Sequence, residues 1–404
     1  MISIKKALKI IENNIPCKTT EYVSINKCCN KVLAEDIITH EPLPRYTNSS
    51  MDGFAVKWED IRNTGEDSLV SLEIIGESRA GIPFDNLIEK GQTVSISTGG
   101  LLPEGADTVV PLELAELDGK TAIIRKVVDK GKYIRYRGQE IEKGKVILKK
   151  GQVFNPACIG LLASIGTLNI KIYKSPNVSI TTTGTELMPL DADLEEYQIR
   201  NSNALMLEKA IENSGAKVIS NNCVSDDIEL LQKKISEVEV NSDLIILSGG
   251  VSVGPHDFVK QAAKNIGFEQ LFWKVNQKPG KPLFVATKEN KMLFGLPGNP
   301  VSALTAYVFY VHPVIQKLLG KKNSWHIVEG TLNESVSNKS KRVYFKRIRL
   351  QNDNNLCGIV TPVVNGGSHM LTSIAYANGF IVVEPGITIK KDEKVKVYLY
   401  PWEL

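Results

Sequence analysis

The sequence predicts a multidomain α/β-plus-β protein: a three-layer, parallel-sheet α/β domain, an inserted small β domain, an N-terminal helical and linker domain, and a C-terminal β-barrel. Three observations carry this. From about residue 176 to 322, apolar runs of strand length alternate with helical patterns of roughly ten to fifteen residues, as βαβ crossovers require. From Val56 to about Tyr136 the strand patterns are short and separated by glycine and proline turns, as in a small barrel-like domain. After Gly320-Lys-Lys-Asn the helical periodicity stops and five further strand patterns follow.

In order, Ile4, Leu8, Ile11 and Ile15 fall at helical spacing among lysines, an amphipathic helix rather than a signal peptide. Arg45 to Val56 is a polar loop entering a strand. Asp52-Gly53 suits a tight turn, and the same loop suits presenting Ser49 and Asp52 to a ligand. Ser97-Thr98-Gly99-Gly100 closes a strand at a turn whose hydroxyls suit a phosphate as well as a plain turn. Arg135-Tyr-Arg137-Gly138-Gln-Glu140 pairs guanidinium forks with a carboxylate, either an oxyanion site or an exposed ion pair. Asn155-Pro156 starts a helix through Leu161, Leu162 and Ile165.

Val178 to Thr183 runs as a strand into Gly184 and Glu186. Helices over Asn203 to Asn213 and Ile228 to Val238 flank a strand from Lys217 to Val224 and the acidic Asp226-Asp227. Leu244 to Leu247 is a continuous apolar run, as in a strand covered on both faces, and Ser248-Gly249-Gly250 lets the backbone approach a ligand closely. Asp257 opens a helical pattern through Phe258, Ala262 and Ile266. Met292 to Gly295 is a strand, Leu296-Pro-Gly-Asn-Pro300 a rigid turn, and Asn299 with Pro300 is helix-start chemistry whose free amides suit an anion. Between these turns Lys274, Lys278 and Lys281 alternate with proline and glycine, so three ammonium groups are expected beside two glycine turns. Open α/β sheets bind ligands beyond the carboxyl ends of their strands, where Gly184, Gly249 and Pro297-Gly298 all fall. The barrel strands are expected over 328–332, 342–350, 356–363, 379–383 and 395–399, with Asn365-Gly-Gly-Ser-His-Met370 a polar loop.

The 404 residues exceed one ordinary core, and 42% hydrophobic with 23% charged residues describes a globular protein. A net charge of +4 argues against a general nucleic-acid binder. Cys17, Cys28, Cys29, Cys158, Cys223 and Cys357 lack metal-ligand or redox spacing, which suits a reducing cytosol. No apolar run approaches the roughly 18 residues a membrane span needs, so a cytoplasmic location is expected. HExxH, the nucleophile elbow and the GxxxxGK[ST] loop are absent, which disfavours zinc protease, serine hydrolase and ordinary NTPase chemistry. Dispersed carboxylates Asp52, Glu186, Asp226 and Asp257 with an oxyanion pocket suit phosphoryl or nucleotidyl chemistry assisted by Mg²⁺.

The runs Asn48-Ser-Ser-Met-Asp-Gly-Phe-Ala-Val56, Ser97-Thr-Gly-Gly100 with Pro103-Glu-Gly-Ala-Asp107, Ser248-Gly-Gly-Val-Ser-Val-Gly254 to Asp257, Lys278-Pro-Gly-Lys-Pro282 and Gly295-Leu-Pro-Gly-Asn-Pro-Val-Ser302 resemble the molybdopterin molybdenumtransferase family, that of MoeA and the gephyrin E domain. The resemblance runs from the first helix to the last barrel strand. It implies a molybdopterin-binding fold for residues 176–322, an inserted domain over 45–136, a discontinuous linker domain from 1–44 and 137–175, and a barrel over 323–404. It also implies an elongated homodimer that inserts molybdate into adenylylated molybdopterin and releases AMP in the presence of Mg²⁺.

By position, the resemblance makes Asp52, Glu186, Asp226, Asp257, Lys274 and Lys278 catalytic, with Glu186, Asp226 and Asp257 as metal ligands. Thr98, Ser248, Gly249, Gly250, Lys281, Pro297, Gly298, Pro300, Arg135, Arg347 and Ser368 fall to the cofactor site. Two departures are Thr47, where the family often has Asp, and Glu140, one methylene longer than the usual Asp. A molybdopterin adenylyltransferase is an expected partner. Its own activity, adenylylation by ATP, is the alternative enzyme reading, because the α/β domain alone resembles it. A scaffold binding partner peptides at the C-terminal barrel is the non-enzymatic one.

Overall fold

Leu244–Ser248, with all five residues buried, lies within a six-stranded sheet of the computed structural model. The model describes residues 1–65, 68–251, 258–321, 325–352, 358–364 and 367–403. The chain forms two compact units, Met1–Ala34 with Asn169–Leu404, and Glu35–Leu168.

In the first unit the sheet order is Lys217–Val224, Asn177–Thr183, Leu244–Ser248, Lys291–Leu296, Phe284–Lys288, Glu269–Trp273. The first four strands are parallel, but the last two pairings are antiparallel because Phe284–Lys288 runs against the rest, so the expected parallel sheet is a mixed one. Connection length is the reason. Lys288 pairs with Lys291 across two residues, whereas a parallel neighbour needs a crossover of roughly a dozen.

Helices cover both faces. Leu207, Ile211, Leu304 and Tyr307 share one core with Ile246 and Phe294, while Leu231, Ile235 and Val259 pack on Ile245 and Leu247 from the other side. Each fully buried aliphatic side chain here stabilises by roughly 1.5–3 kcal/mol. Helix Ile4–Asn13 buries Ala7 and Ile11 in the first of these cores. Helix Val259–Asn265 matches the expected apolar pattern, and Asp257, expected at its start, lies outside the described residues.

The barrel closes. Val343–Asn352, Gly358–Pro362, Ile327–Leu332, Lys394–Leu399 and Gly379–Val383 follow one another, and the last pairs back onto the first. Leu332, Ile348, Val360, Ile381 and Val397 fill it. Outside the barrel proper, Gln277–Lys278 adds a two-residue parallel strand to Val343–Tyr344.

The second unit is built on a sheet ordered Thr108–Pro111, Gly53–Val56, Gln92–Ile96, Val70–Ser78, Thr121–Ile124, Ala115–Asp118. Phe54, Leu72 and Val110 form a core on one face, Ala55, Val94 and Val109 on the other. Among the described residues no ladder joins the two end strands, so the expected barrel-like closure is corrected to an open sheet. The three-residue turn Leu112–Leu114 carries the chain between those ends. The helix at Asn155-Pro156 forms as expected, the Asn155 side chain accepting from the Cys158 N–H at 2.9 Å. Among the described residues no helix is long and apolar enough to cross a membrane.

Candidate functional site

Strand register sets the site. Thr182, Ser248 and Leu296 lie on neighbouring rungs, so the turns beginning at Gly184, Gly249 and Pro297 leave one edge of one sheet, as expected. Gly249 has φ +102 and a Cβ there would lie 2.4 Å from the Thr183 carbonyl oxygen, so only glycine fits. Gly249→Ala should therefore destabilise the protein by about 2 kcal/mol or more, read as a lowered denaturation midpoint.

A hydrogen-bonded lattice ties these turns together. The Asn203 amide donates to Ser248 Oγ at 3.0 Å and to the Gly298 carbonyl at 2.7 Å, and the Ser248 hydroxyl donates to the Pro297 carbonyl at 3.3 Å. Asn201 caps the helix Ser202–Asn213 through the Ala204 N–H and donates to Thr182 Oγ1 at 2.7 Å. Neither asparagine was among the expected site residues. Their signal was the Asn201-Ser-Asn203 run just before the Leu205, Leu207 periodicity, which reads as a cap and nothing more.

A cavity of about 690 Å³ opens here, with Glu186, Asn203, Ser248, Gly298, Pro300 and His369 in its wall. His369 comes from the expected polar loop, yet no motif singled it out. Its neighbour Ser368 accepts a hydrogen bond from the Val301 N–H at 3.2 Å through its carbonyl, so the loop seats on the helix beginning at Pro300. Asn299 precedes that helix with Pro300 in its first turn, but its side chain makes no capping bond.

Glu186 and Asp226 leave adjacent strands, because Thr183 pairs with Val224. The Asp226 N–H reaches Thr185 Oγ1 at 3.4 Å. The two neighbouring acids divide: Asp227 caps its helix through the Glu229 and Leu230 N–H groups at 2.8 and 2.9 Å, whereas Asp226 does not. Among the described residues no donor or cation meets the exposed carboxylates of Glu186 and Asp226. No three metal-ligating side chains cluster among those residues, and Asp257 lies outside them. Two uncommitted carboxylates on adjacent turns fit Mg²⁺, which takes one or two carboxylates and fills its octahedron with water and ligand oxygens.

Lys274 holds its ammonium 3.6 Å from the centre of the Trp273 ring, and the Trp273 indole N–H donates to the Val251 carbonyl at 3.0 Å, directly after Gly250. Lys278 and Lys281 are exposed, and none of the three lysines is in the wall of this cavity.

Arg347 is the strongest electrostatic feature. It is 5% exposed, its Nε has no hydrogen-bond partner, and among the described residues no carboxylate meets its guanidinium. Burial pushes its pKa below the usual arginine value, opposed by nearby Tyr400 and Tyr344. Burying a cation without a counter-ion costs the fold stability.

The second unit carries its own cluster. The Thr98 N–H donates to Asp52 Oδ1 at 2.6 Å, Gly99 follows with φ +80, and Arg135 lies opposite Asn48 in a short ladder. Thr47, one of the two departures, accepts from the Arg137 N–H at 3.1 Å, and Glu140 is exposed. The Thr98 N–H, then the Thr98 hydroxyl, hold the Asp52 carboxyl below its ordinary value. The folded pKa is depressed, so this bond stabilises above the unfolded carboxyl pKa and is lost as pH falls through the folded one. Asp52→Asn should flatten the acid limb of the stability curve below about pH 4, measured by denaturation at stepped pH.

A mixed α/β sheet with a cavity at its carboxyl edge, and two exposed carboxylates on the turns there, define an α/β ligand-binding protein. Three family models match in chain order: the MoeA N-terminal region (domain I and II) over residues 2–166, a probable molybdopterin binding domain over 179–317, and the MoeA C-terminal region (domain IV) over 329–400. Molybdopterin molybdenumtransferases of Staphylococcus epidermidis and Staphylococcus aureus are 33% identical over 392 and 389 residues, 95% of this chain and 92% of each relative. Crystal structures of molybdopterin biosynthesis MoeA proteins from Pyrococcus horikoshii, 29% and 25% identical, superpose with TM-scores of 0.88 and 0.83, each over 99% of this chain and 99% and 100% of theirs. The chain belongs to the molybdopterin molybdenumtransferase (MoeA) family.

Proposed function

We propose that this protein inserts molybdate into adenylylated molybdopterin with release of AMP, acting as a Mg²⁺-dependent homodimer in the cytoplasm. The observation that carries the reading is kinship at 33% identity with enzymes of that name over 95% of the chain. The four-domain division expected from the sequence belongs to the same reading.

On this reading Glu186 and Asp226, with Asp257, would hold Mg²⁺, which would supply positive charge to phosphate oxygens of the substrate. Arg347 binds an oxyanion inside the fold, and Lys274, Lys278, Lys281 and Arg135 offset the remaining charge of the substrate. Ser248, Gly249 and Gly250 bring backbone close to the ligand, Pro297, Gly298 and Pro300 stiffen the opposite turn, and Ser368 offers a hydroxyl to an oxyanion. Asp52 and Thr98 serve as one hydrogen-bonded pair. The molybdopterin adenylyltransferase is the partner this reading names, because its product is the substrate.

The test is to incubate purified protein with adenylylated molybdopterin, molybdate and Mg²⁺ and to follow AMP. Stoichiometric AMP is expected. Substrate that stays adenylylated after that incubation would remove the proposal.

A further inference from the structure

Gln277 is fully buried, yet both ends of its amide are bound. Its Oε1 accepts from the Tyr310 hydroxyl, and its Nε2 donates to the Gly280 carbonyl at 3.1 Å. A carbonyl can only accept, so the amide has one permitted orientation. Gly280 sits at φ +80, and a Cβ there would lie 3.0 Å from Gln277 Nε2 and 3.4 Å from the Ser302 carbonyl oxygen. The turn from Lys278 to Lys281 is therefore wedged between a buried amide and the helix that starts at Pro300, in the cavity wall.

Tyr310 lies further along that helical run, in the wider π-helical turn Tyr307–Val311, a geometry that recurs at functional positions. Its hydroxyl is buried, and burial pushes its pKa upward, so it remains a donor. At the ends of the clamped turn stand two exposed ammonium groups, Lys278 with its Nζ 5.5 Å from the Tyr344 ring centre, and Lys281.

We propose that Tyr310 and Gln277 are positioning residues that hold the Lys278–Lys281 turn in one conformation for an anionic substrate. The proposal rests on the reading that these lysines bind substrate oxyanions. Released from its amide clamp, a glycine turn bearing two long cationic side chains samples many conformations, and that freedom must be lost again on binding.

Tyr310→Phe removes one hydroxyl and keeps the ring, and Gln277→Met is a second, shape-matched variant. Each should raise KM for adenylylated molybdopterin about three- to tenfold while changing kcat less than about twofold. In a Lys278→Ala, Lys281→Ala background neither should raise KM further, an outcome that a purely structural role would not produce. Thermal melts identify which variants are folded. Equal KM multiplication with and without the lysines would overturn the proposal, as would an unchanged KM in both folded variants while the lysine variant binds poorly. A lysine variant with the parent KM would instead overturn the lysine reading, and the positioning role with it.

Discussion

Arg347→Met is expected to lower the rate of AMP release by about 100-fold or more while making the protein more stable. Loss of a group that stabilises developing negative charge typically removes about 10²–10³ in rate. Stability should move the other way, because Arg347 is 5% exposed and no carboxylate among the described residues compensates it. Methionine keeps the volume of the stem without the charge, and such replacements stabilise by about 1–4 kcal/mol. At every pH below the depressed folded pKa the guanidinium is charged in both the folded and the unfolded chain, so its desolvation cost is constant and the gain should be flat from about pH 5 to 9. Arg347→Lys should recover only part of the activity, because an ammonium lacks the guanidinium fork. Urea titration and an AMP assay on the same preparations check both signs. A variant less stable than the parent and equally active would show that the guanidinium has a structural partner.

The second large effect concerns the strand-end carboxylates. Glu186→Gln and Asp226→Asn should each lower activity by about 100-fold and raise the Mg²⁺ concentration for half-maximal rate about tenfold. Both carboxylates are exposed and unpartnered among the described residues, so stability should change by no more than about 0.5 kcal/mol. Asp227→Asn is the internal control. Its carboxylate caps a helix at 2.8 and 2.9 Å, and asparagine caps about as well, so activity, Mg²⁺ dependence and stability should all stay near the parent. Magnesium titrations that superimpose for all three variants and the parent would exclude a metal role for Glu186 and Asp226.

Much of this molecule was legible because its signals are local. Leu244–Ser248 as a strand, the glycine turn after it, Pro300 at a helix start and five barrel strands all follow from periodicity and turn chemistry over a few residues. The resemblance added the order of the motifs and hence the family. Where reading failed, distance along the chain was the cause. Asn203 reads as an ordinary residue of a helix start, and only the fold places it under Ser248 and Gly298, 45 and 95 positions away. His369 reaches the cavity because its loop seats on a helix far earlier in the chain, Ser368 meeting Val301.

From the amino-acid order alone came the elements, the strand-end location of the turns and the residues with chemistry to offer, because backbone preference and apolar periodicity act over short spans. Tertiary structure alone decided which of those residues are committed. Asp227 caps its helix while Asp226 meets no donor or cation among the described residues, Lys278 pairs beside a barrel strand, Gln277 is clamped by Tyr310, and Arg347 is buried with no carboxylate partner among those residues. Burial and partnership depend on what arrives from distant parts of the chain, and no local pattern encodes that arrival.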